Sequence, residues 1–164
     1  MNLATKLMRK GIPATPSLPP VGSGSDSSIV SASDTFSMYA ASRAFDGAAL
    51  NGLESAVWCS GFVLPCWYQW NFGGPCQVSG LRYSTRNSTN DPFRIKDYAF
   101  YYSNSGEFTG EEVLITSGAF PLITKNTFTP WVMFPSPIIA RYLRLVFSSG
   151  HDGNIVAAQE FQLM

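Results

Sequence analysis

The sequence predicts an all-β domain, a sandwich or a barrel, and three observations lead to this prediction. The stretch Trp67–Gly74 alternates large apolar residues with polar or small ones and stops at a glycine pair. That pattern is typical of a strand with one buried face. Further short apolar or alternating runs recur between clusters of Gly, Pro, Asn and Ser, which is the spacing of a sandwich. Within the domain, helix is predicted only as one turn at Ser37–Arg43.

The stretch Trp67–Gly74 is expected to be the central strand, with Tyr68, Trp70 and Phe72 on its buried face. At about 25 cal/mol per Å² of apolar area removed from water, these rings should dominate the energy of the core. The other predicted strands are Ile29–Ala32, Ser79–Ser84, Tyr98–Ser103, Glu112–Thr116, Thr127–Phe134, Ala140–Phe147 and Ala157–Leu163. In the strand Ala140–Phe147, Leu143, Leu145 and Phe147 are predicted to face the core, and Arg141 and Arg144 to face solvent.

The composition excludes several classes of partner. Charged residues make up only 13% of the chain, and the 11 basic side chains balance the 11 acidic ones. A general nucleic-acid binder needs a basic surface to displace counterions, so that class is not expected. The same balance removes an electrostatic case for anionic membranes. No apolar run approaches the roughly 20 residues that span a bilayer, so membrane insertion is not expected either.

Three cysteines, Cys59, Cys66 and Cys76, lie close together in the sequence. An odd, closely grouped set does not resemble a secreted disulfide framework, and the three are interpreted as small buried hydrophobic residues. A Cys59–Cys66 or a Cys66–Cys76 bridge in an oxidising compartment is left open. A zinc site is not expected, because the single histidine is His151 and the chain has no CxxC pair.

The chain is divided into an N-terminal arm, residues 1–28, and a domain, residues 29–164. The arm contains four prolines between Ile12 and Pro20 and then a Gly/Ser-rich stretch, a composition typical of an extended segment and a hinge. Such a segment orders only against something else. We therefore expect its apolar residues to dock onto a partner subunit or a neighbouring copy; they are Leu3, Leu7, Ile12, Leu18 and Val21.

No secretory signal is recognised, because the positive residues of Met1–Lys10 are followed by prolines instead of an apolar core. The expectation is therefore that the protein is made in the cytoplasm.

Read in order, the motifs of the domain resemble those of the discoidin domain, also called the coagulation-factor type C domain. The matching pieces are ASRAFDG (41–47), Trp58, PCWYQWNFGG (65–74), VSGLRY (78–83), DYAFYYSNSGEF (97–108), ARYLRLVF (140–147) and QEFQL (159–163). Two positions depart from the family pattern, where Asn71 and Ser105 replace aspartates, and the segment between Asp46 and Trp58 is longer than usual. The resemblance implies a jelly-roll β-sandwich of about eight strands, similar to galactose-binding carbohydrate-binding modules.

The resemblance also implies a structural calcium ion held by Asp46 and Glu160. The carbonyl of Arg43 and the side chain of Asn51 are further candidate ligands. Calcium takes six to eight oxygens, including carboxylates and carbonyls. The alternative is a metal-free site in which Asp46 caps the turn and Glu160 pairs with Arg43.

By the same resemblance, Arg86 and Asn90 lie at the positions where galactose-binding relatives carry the residues that bind the sugar. Arginine offers fixed donors, and asparagine offers both a donor and an acceptor, to sugar hydroxyls. His151 is a further candidate contact from the loop 148–154. Possible aromatic platforms for the sugar ring are Phe36, Tyr39, Phe93 and Trp131. The alternative is a polar turn, because Asn-Asp-Pro favours turns, and a solvated loop histidine.

No nucleophile elbow, phosphate loop, zinc motif or paired-carboxylate arrangement is present, so no enzyme is predicted. We interpret the chain as a virion structural protein, a bacteriophage tail or capsid decoration or attachment component. Its arm would anchor it to other virion subunits or to copies of itself, and its domain would bind host-surface glycan. The alternative function is a stand-alone lectin-like module for galactose-type sugars. Deletion of residues 1–28 distinguishes the two functions. It should abolish incorporation of a virion protein, and it should leave the sugar binding of a stand-alone lectin intact.

Overall fold

The computed structural model describes residues 18, 29–47, 57–61, 63–86 and 93–164, and these form an all-β sandwich. Its elements, in chain order, are β1 Val30–Ala32, a 3-10 helix Ala41–Ala44, β2 Trp58–Cys59, β3 Cys66–Ser84, β4 Asp97–Ser103, β5 Val113–Ala119, β6 Val132–Phe147, β7 Ala157–Ala158 and β8 Glu160–Leu163. The all-β prediction is confirmed. None of the helices in the described ranges is long and apolar enough to cross a membrane.

All strand pairings are antiparallel, and β3 and β6 form the centre of the main sheet. The strand order is β1-β3-β6-β4-β5, with β8 added to β3, while β2 and β7 form a separate pair. Consequently β5 is an edge strand of the part of the sheet that the structure describes.

The long strand β3 joins two strands that the sequence predicts separately. Its register with β6 shifts between Asn71 and Cys76, around Gly73, which has a φ of +75°. This conformation is accessible to glycine at little cost, so the strand can bend there without ending. The first half of β3 pairs with β1 and the end of β6, and the second half pairs with β8 and the start of β6.

Aromatic rings from both halves of β3 meet in one core. Phe161 of β8 packs at centroid distances of 4.7 Å from Tyr68 and 5.4 Å from Trp70. Trp58 packs 5.2 Å from Tyr68 and is completely buried. Because β8 pairs with the second half of β3, these contacts place the two halves face to face across the core.

The period-two prediction for the central strand is confirmed for Tyr68 and Trp70, which are both fully buried. Phe72 is half-buried and packs on the edge of the core. In β6, Leu143, Leu145 and Phe147 are buried as predicted. Arg144 lies on the outer face, where its guanidinium carbon is 4.2 Å from the Trp67 ring centroid and 3.7 Å from that of Phe108.

Candidate functional site

Three loops meet at the end of the sandwich where β3 ends and β4 begins. The amide of Ala157 donates to the carbonyl of Phe93 over 2.7 Å, and the amide of His151 donates to the carbonyl of Arg94 over 2.9 Å. The hydroxyl of Tyr83 donates to the carbonyl of Ile95 over 3.1 Å. These bonds tie the segment 93–95 to the loop after β6 and to the end of β3, which carries Arg86.

Arg86 is held against the ring of Phe93, with its guanidinium carbon 5.5 Å from the ring centroid. Its Nε atom is buried and has no hydrogen-bond partner among the described residues. Its backbone carbonyl accepts a bond from the amide of Asn126 over 3.2 Å. A half-buried guanidinium on an aromatic ring is fixed in orientation while it can still direct donors at a ligand.

Asn126, which sequence reasoning did not select, lies beside Arg86. It has a positive φ of +52°, and its Oδ1 atom is buried and lacks a hydrogen-bond partner in the part of the chain that the structure describes. The signal that could have found it is the dipeptide Lys125-Asn126 between two strands, because asparagine tolerates the left-handed region at turns.

His151 reaches the same group of loops through its backbone and its ring. Its Nε2 atom lies 3.1 Å from the carbonyl of Phe120, so the tautomer with a proton on Nε2 makes this hydrogen bond. The next residue, Asp152, forms an ion pair of 2.7 Å with Arg94. Arg86 and His151 are thus both attached to the segment Phe93–Arg94, whereas Asn90 lies outside the described residues.

The structure separates the four candidate aromatic platforms. Phe93 lies beside Arg86. Trp131 instead stacks on Arg82, at 4.6 Å. Phe36 and Tyr39 stack on each other at 6.2 Å, and Phe36 is 40% exposed. Phe93 is therefore the candidate platform that contacts Arg86, one of the residues predicted to bind the sugar.

Asp46 and Glu160 form a second cluster, built from the turn after the 3-10 helix and the first residue of β8. Glu160 is fully buried; its Oε2 accepts a bond from the amide of Gly47 over 3.2 Å, and its Oε1 has no hydrogen-bond partner within the described ranges. Burial, and then the nearby Asp46 carboxylate, raise the pKa of Glu160 to about 8. A buried carboxyl group beside a second carboxylate, with an oxygen that has no hydrogen-bond partner among the described residues, fits a cation well.

Of the other two candidate calcium ligands, the structure describes only Arg43. Arg43 lies in the 3-10 helix just before Asp46, and Asn51 lies outside the described residues. No group of three or more His, Cys, Asp and Glu side chains arranged for a metal occurs within the described ranges. A calcium ion here would therefore depend on backbone carbonyls as well as on the two carboxylates.

Cys59, Cys66 and Cys76 are buried and none of them is in a disulfide bond in the described part of the chain, as expected of small hydrophobic residues. Burial raises the pKa of Cys66 to about 12. A thiol with that pKa stays protonated at physiological pH, so it is a poor nucleophile and a poor metal ligand.

Leu18 is the one arm residue among the candidates that the structure describes. It is partly buried and packs against the hydrophobic core of its own domain. The other predicted arm contacts, Leu3, Leu7, Ile12 and Val21, lie outside the described residues.

Comparison with known structures finds close matches in fold. The family 32 carbohydrate-binding module of NanJ from C. perfringens, solved in complex with galactose, is 25% identical with a TM-score of 0.65, covering 82% of this chain and 90% of that one. A CBM32-3 module of a family 31 glycoside hydrolase from Clostridium perfringens is 19% identical with a TM-score of 0.66, covering 84% and 92%. The lectin domain of lectinolysin, complexed with Lewis B antigen, is 19% identical with a TM-score of 0.62, covering 82% and 90%.

The sequence itself matches the family model of the F5/8 type C domain over residues 28–161, while no curated protein matches it. The matched range overlaps most of the segment 29–164, and the division of the chain into an arm and a domain stays a prediction. The discoidin resemblance is thus confirmed, and this chain belongs to the F5/8 type C domain family.

Proposed function

We propose that the protein is a non-catalytic, lectin-like module that binds galactose-type sugars at the loop end carrying Arg86. The observation that carries the proposal is the guanidinium of Arg86, which lies on the Phe93 ring and whose buried Nε has no hydrogen-bond partner in the described part of the chain. The galactose complex of the NanJ module, a structure that is 25% identical, supports the same class of ligand.

In this proposal Arg86 donates hydrogen bonds to sugar hydroxyls, and Phe93 holds the guanidinium plane in place. Asn90 and His151 supply further polar contacts from the flanking loops. A neutral His151 that donates from Nε2 to the carbonyl of Phe120 keeps Nδ1 as an acceptor for a hydroxyl. Recognition by arginine, amide and imidazole groups requires no acid–base pair, in keeping with a binding module.

We also propose that Asp46, Glu160 and the carbonyl of Arg43 hold a structural calcium ion, with Asn51 as a further ligand. The buried Oε1 of Glu160 and the raised pKa of its carboxyl support this assignment. Calcium bound there would neutralise the two carboxylates and tie the turn after the 3-10 helix to β8.

The test is calorimetric titration of the full chain with galactose, after a glycan array has ranked galactose-type ligands. We expect Arg86→Ala to weaken binding by about 10-fold to 100-fold, the loss of one or two hydrogen bonds from a charged donor. Arg144→Ala is the matched control, since Arg144 is also stacked on aromatic rings but lies away from these loops. Equal affinity of wild type and Arg86→Ala would refute the assignment of the site.

A virion structural role, with assembly through residues 1–28, stays a prediction from the sequence. The similar proteins described above concern glycan binding and do not bear on it. Co-purification of the full chain and of the chain lacking residues 1–28 with assembled particles would test it.

A further inference from the structure

A second arginine, Arg82, lies in the same row of side chains as Arg86. Residues two apart on an extended chain point to the same side, so Arg82, Ser84 and Arg86 form one row. The intervening Tyr83 is fully buried in the core, which places the row on the outer face of the sheet. Four residues of extended chain span about 13 Å at ~3.3 Å per residue. A ligand bound at Arg86 therefore reaches Arg82 only if it is longer than one sugar ring.

The segment 124–131 runs antiparallel beside this row. The amide of Thr129 donates to the carbonyl of Tyr83 over 2.8 Å, and Ser84 forms an antiparallel bridge with Phe128. Directly opposed residues of antiparallel strands lie on the same face. Phe128 is therefore on the outer face, midway between the two arginines, and it makes the surface continuous from one arginine to the other.

The guanidinium of Arg82 is fixed by two aromatic rings and one amide. Its central carbon lies 4.4 Å from the ring centroid of Phe128 and 4.6 Å from that of Trp131. Its Nε and Nη2 atoms donate to Oε1 of Gln162, its partner on β8, over 2.9 and 2.7 Å. A planar group held in this way presents its remaining donors in a set direction.

The donors that remain on Arg82 are available to a ligand. The two bonds to Gln162 use two of its five N–H groups, and in the described part of the chain Arg82 makes no further hydrogen bond and no ion pair. Phe128 and Trp131 are half-buried, so part of each is still open to solvent. Fixed polar donors beside aromatic surface suit a sugar, which combines hydroxyl groups with an apolar ring face.

We propose that Arg82, Phe128 and Trp131 form a second subsite, which binds a further sugar residue of an oligosaccharide whose galactose-type end lies at Arg86. The inference rests on the proposed function and deepens it, because the ligand becomes an oligosaccharide instead of a single sugar. Continuity favours this occupant, since the second subsite lies in the same row as Arg86.

The same chain supplies a matched control for this arrangement. Trp67 is also half-buried, and the guanidinium carbon of Arg144 lies 4.2 Å from its ring centroid. Arg144 likewise donates from Nε and Nη2 to a glutamine across the sheet, Gln69, over 2.9 and 2.7 Å. Trp67 lies in the first half of β3, away from Arg86. Loss of its ring removes an equivalent contact without touching the row.

Calorimetric titration with galactose and with lacto-N-neotetraose, a tetrasaccharide that ends in galactose, tests the proposal. We expect wild type to bind the tetrasaccharide about tenfold more tightly than galactose. Trp131→Ala should bring the tetrasaccharide to within about twofold of galactose and leave the affinity for galactose itself within about twofold of wild type. The retained galactose affinity shows that this variant is folded.

Arg82→Lys is the second variant, because lysine keeps the charge but lacks the planar donor fork. It should weaken tetrasaccharide binding by about threefold or more and leave galactose binding unchanged. Trp67→Ala should leave both affinities unchanged.

The two ligands separate failure of the second subsite from failure of the proposed function. A tetrasaccharide that binds wild type no more tightly than galactose would overturn the second subsite and leave the site at Arg86 in place. The same holds for tight tetrasaccharide binding that survives in both Trp131→Ala and Arg82→Lys, or that Trp67→Ala reduces equally. Wild type that binds neither ligand would refute the proposed function and this inference with it.

Discussion

Replacing Glu160 with glutamine should change the stability of the domain in opposite directions with and without calcium. Glutamine has nearly the shape of a protonated glutamic acid but cannot ionise. In wild type without metal, Glu160 is buried beside Asp46, and its pKa is raised from 4.5 to about 8. The folded state therefore holds a proton that the unfolded chain releases.

The sign and size of the effect follow from proton linkage. A carboxyl whose pKa is raised by folding contributes stability that is fully present below pH 4.5 and is lost as the pH rises to about 8. The loss is about 1.4 kcal/mol per pH unit inside that window. Between pH 6 and pH 8 in EDTA, wild type should lose about 2 kcal/mol more of its unfolding free energy than Glu160→Gln does.

Calcium should reverse the ranking. An ion at one hundred times its dissociation constant stabilises the folded state by about 2.7 kcal/mol. Wild type should gain this at pH 8, and Glu160→Gln should gain little, because the substitution removes one of the two carboxylates.

Urea unfolding of both proteins at pH 6, 7 and 8, in EDTA and in calcium, measures the pH-dependent loss and the calcium-dependent gain of unfolding free energy. Glu107→Gln is the control for the substitution itself, since Glu107 is exposed on a loop. Parallel pH profiles of wild type and Glu160→Gln in EDTA would refute the buried carboxyl pair. Equal stabilisation of both by calcium would show that the ion binds elsewhere.

Two other features of the structure can be tested by simple measurements. Gly106→Ala should destabilise the domain by about 2–4 kcal/mol, from left-handed backbone strain plus steric overlap, because Gly106 has a φ of +84° and an added Cβ would lie 2.7 Å from the Tyr142 ring. Gly110 has a φ of +110°, and no atom lies within 4 Å of an added Cβ, so Gly110→Ala measures the backbone strain alone. Equal losses of unfolding free energy for the two substitutions, measured in urea, would argue against a steric overlap at Gly106. The thiols of Cys59, Cys66 and Cys76 should not react with an aromatic disulfide reagent in the native protein and should all react in urea, because the three are buried. Rapid native reaction of any of them would contradict its burial.

Local pattern was sufficient to predict most of the strands and the family. The alternation through Tyr68 and Trp70, and again through Leu143 to Phe147, identified buried strand faces, because period two is a property of the backbone itself. The ordered motifs identified the discoidin family and marked Asp46 and Glu160 as one cluster. Asp46 and Glu160 lie far apart in the sequence, so only the family resemblance could predict that they are close in the fold.

Tertiary structure decided how those elements are joined and which side chains meet. Gly73 lets β3 bend instead of ending, so two predicted strands are one. Phe93, among four equivalent aromatic candidates, is the one that contacts Arg86. Each of these depends on contacts between residues far apart in the chain, and the physical reason is general: side-chain periodicity reports which face is buried, but not what packs against it.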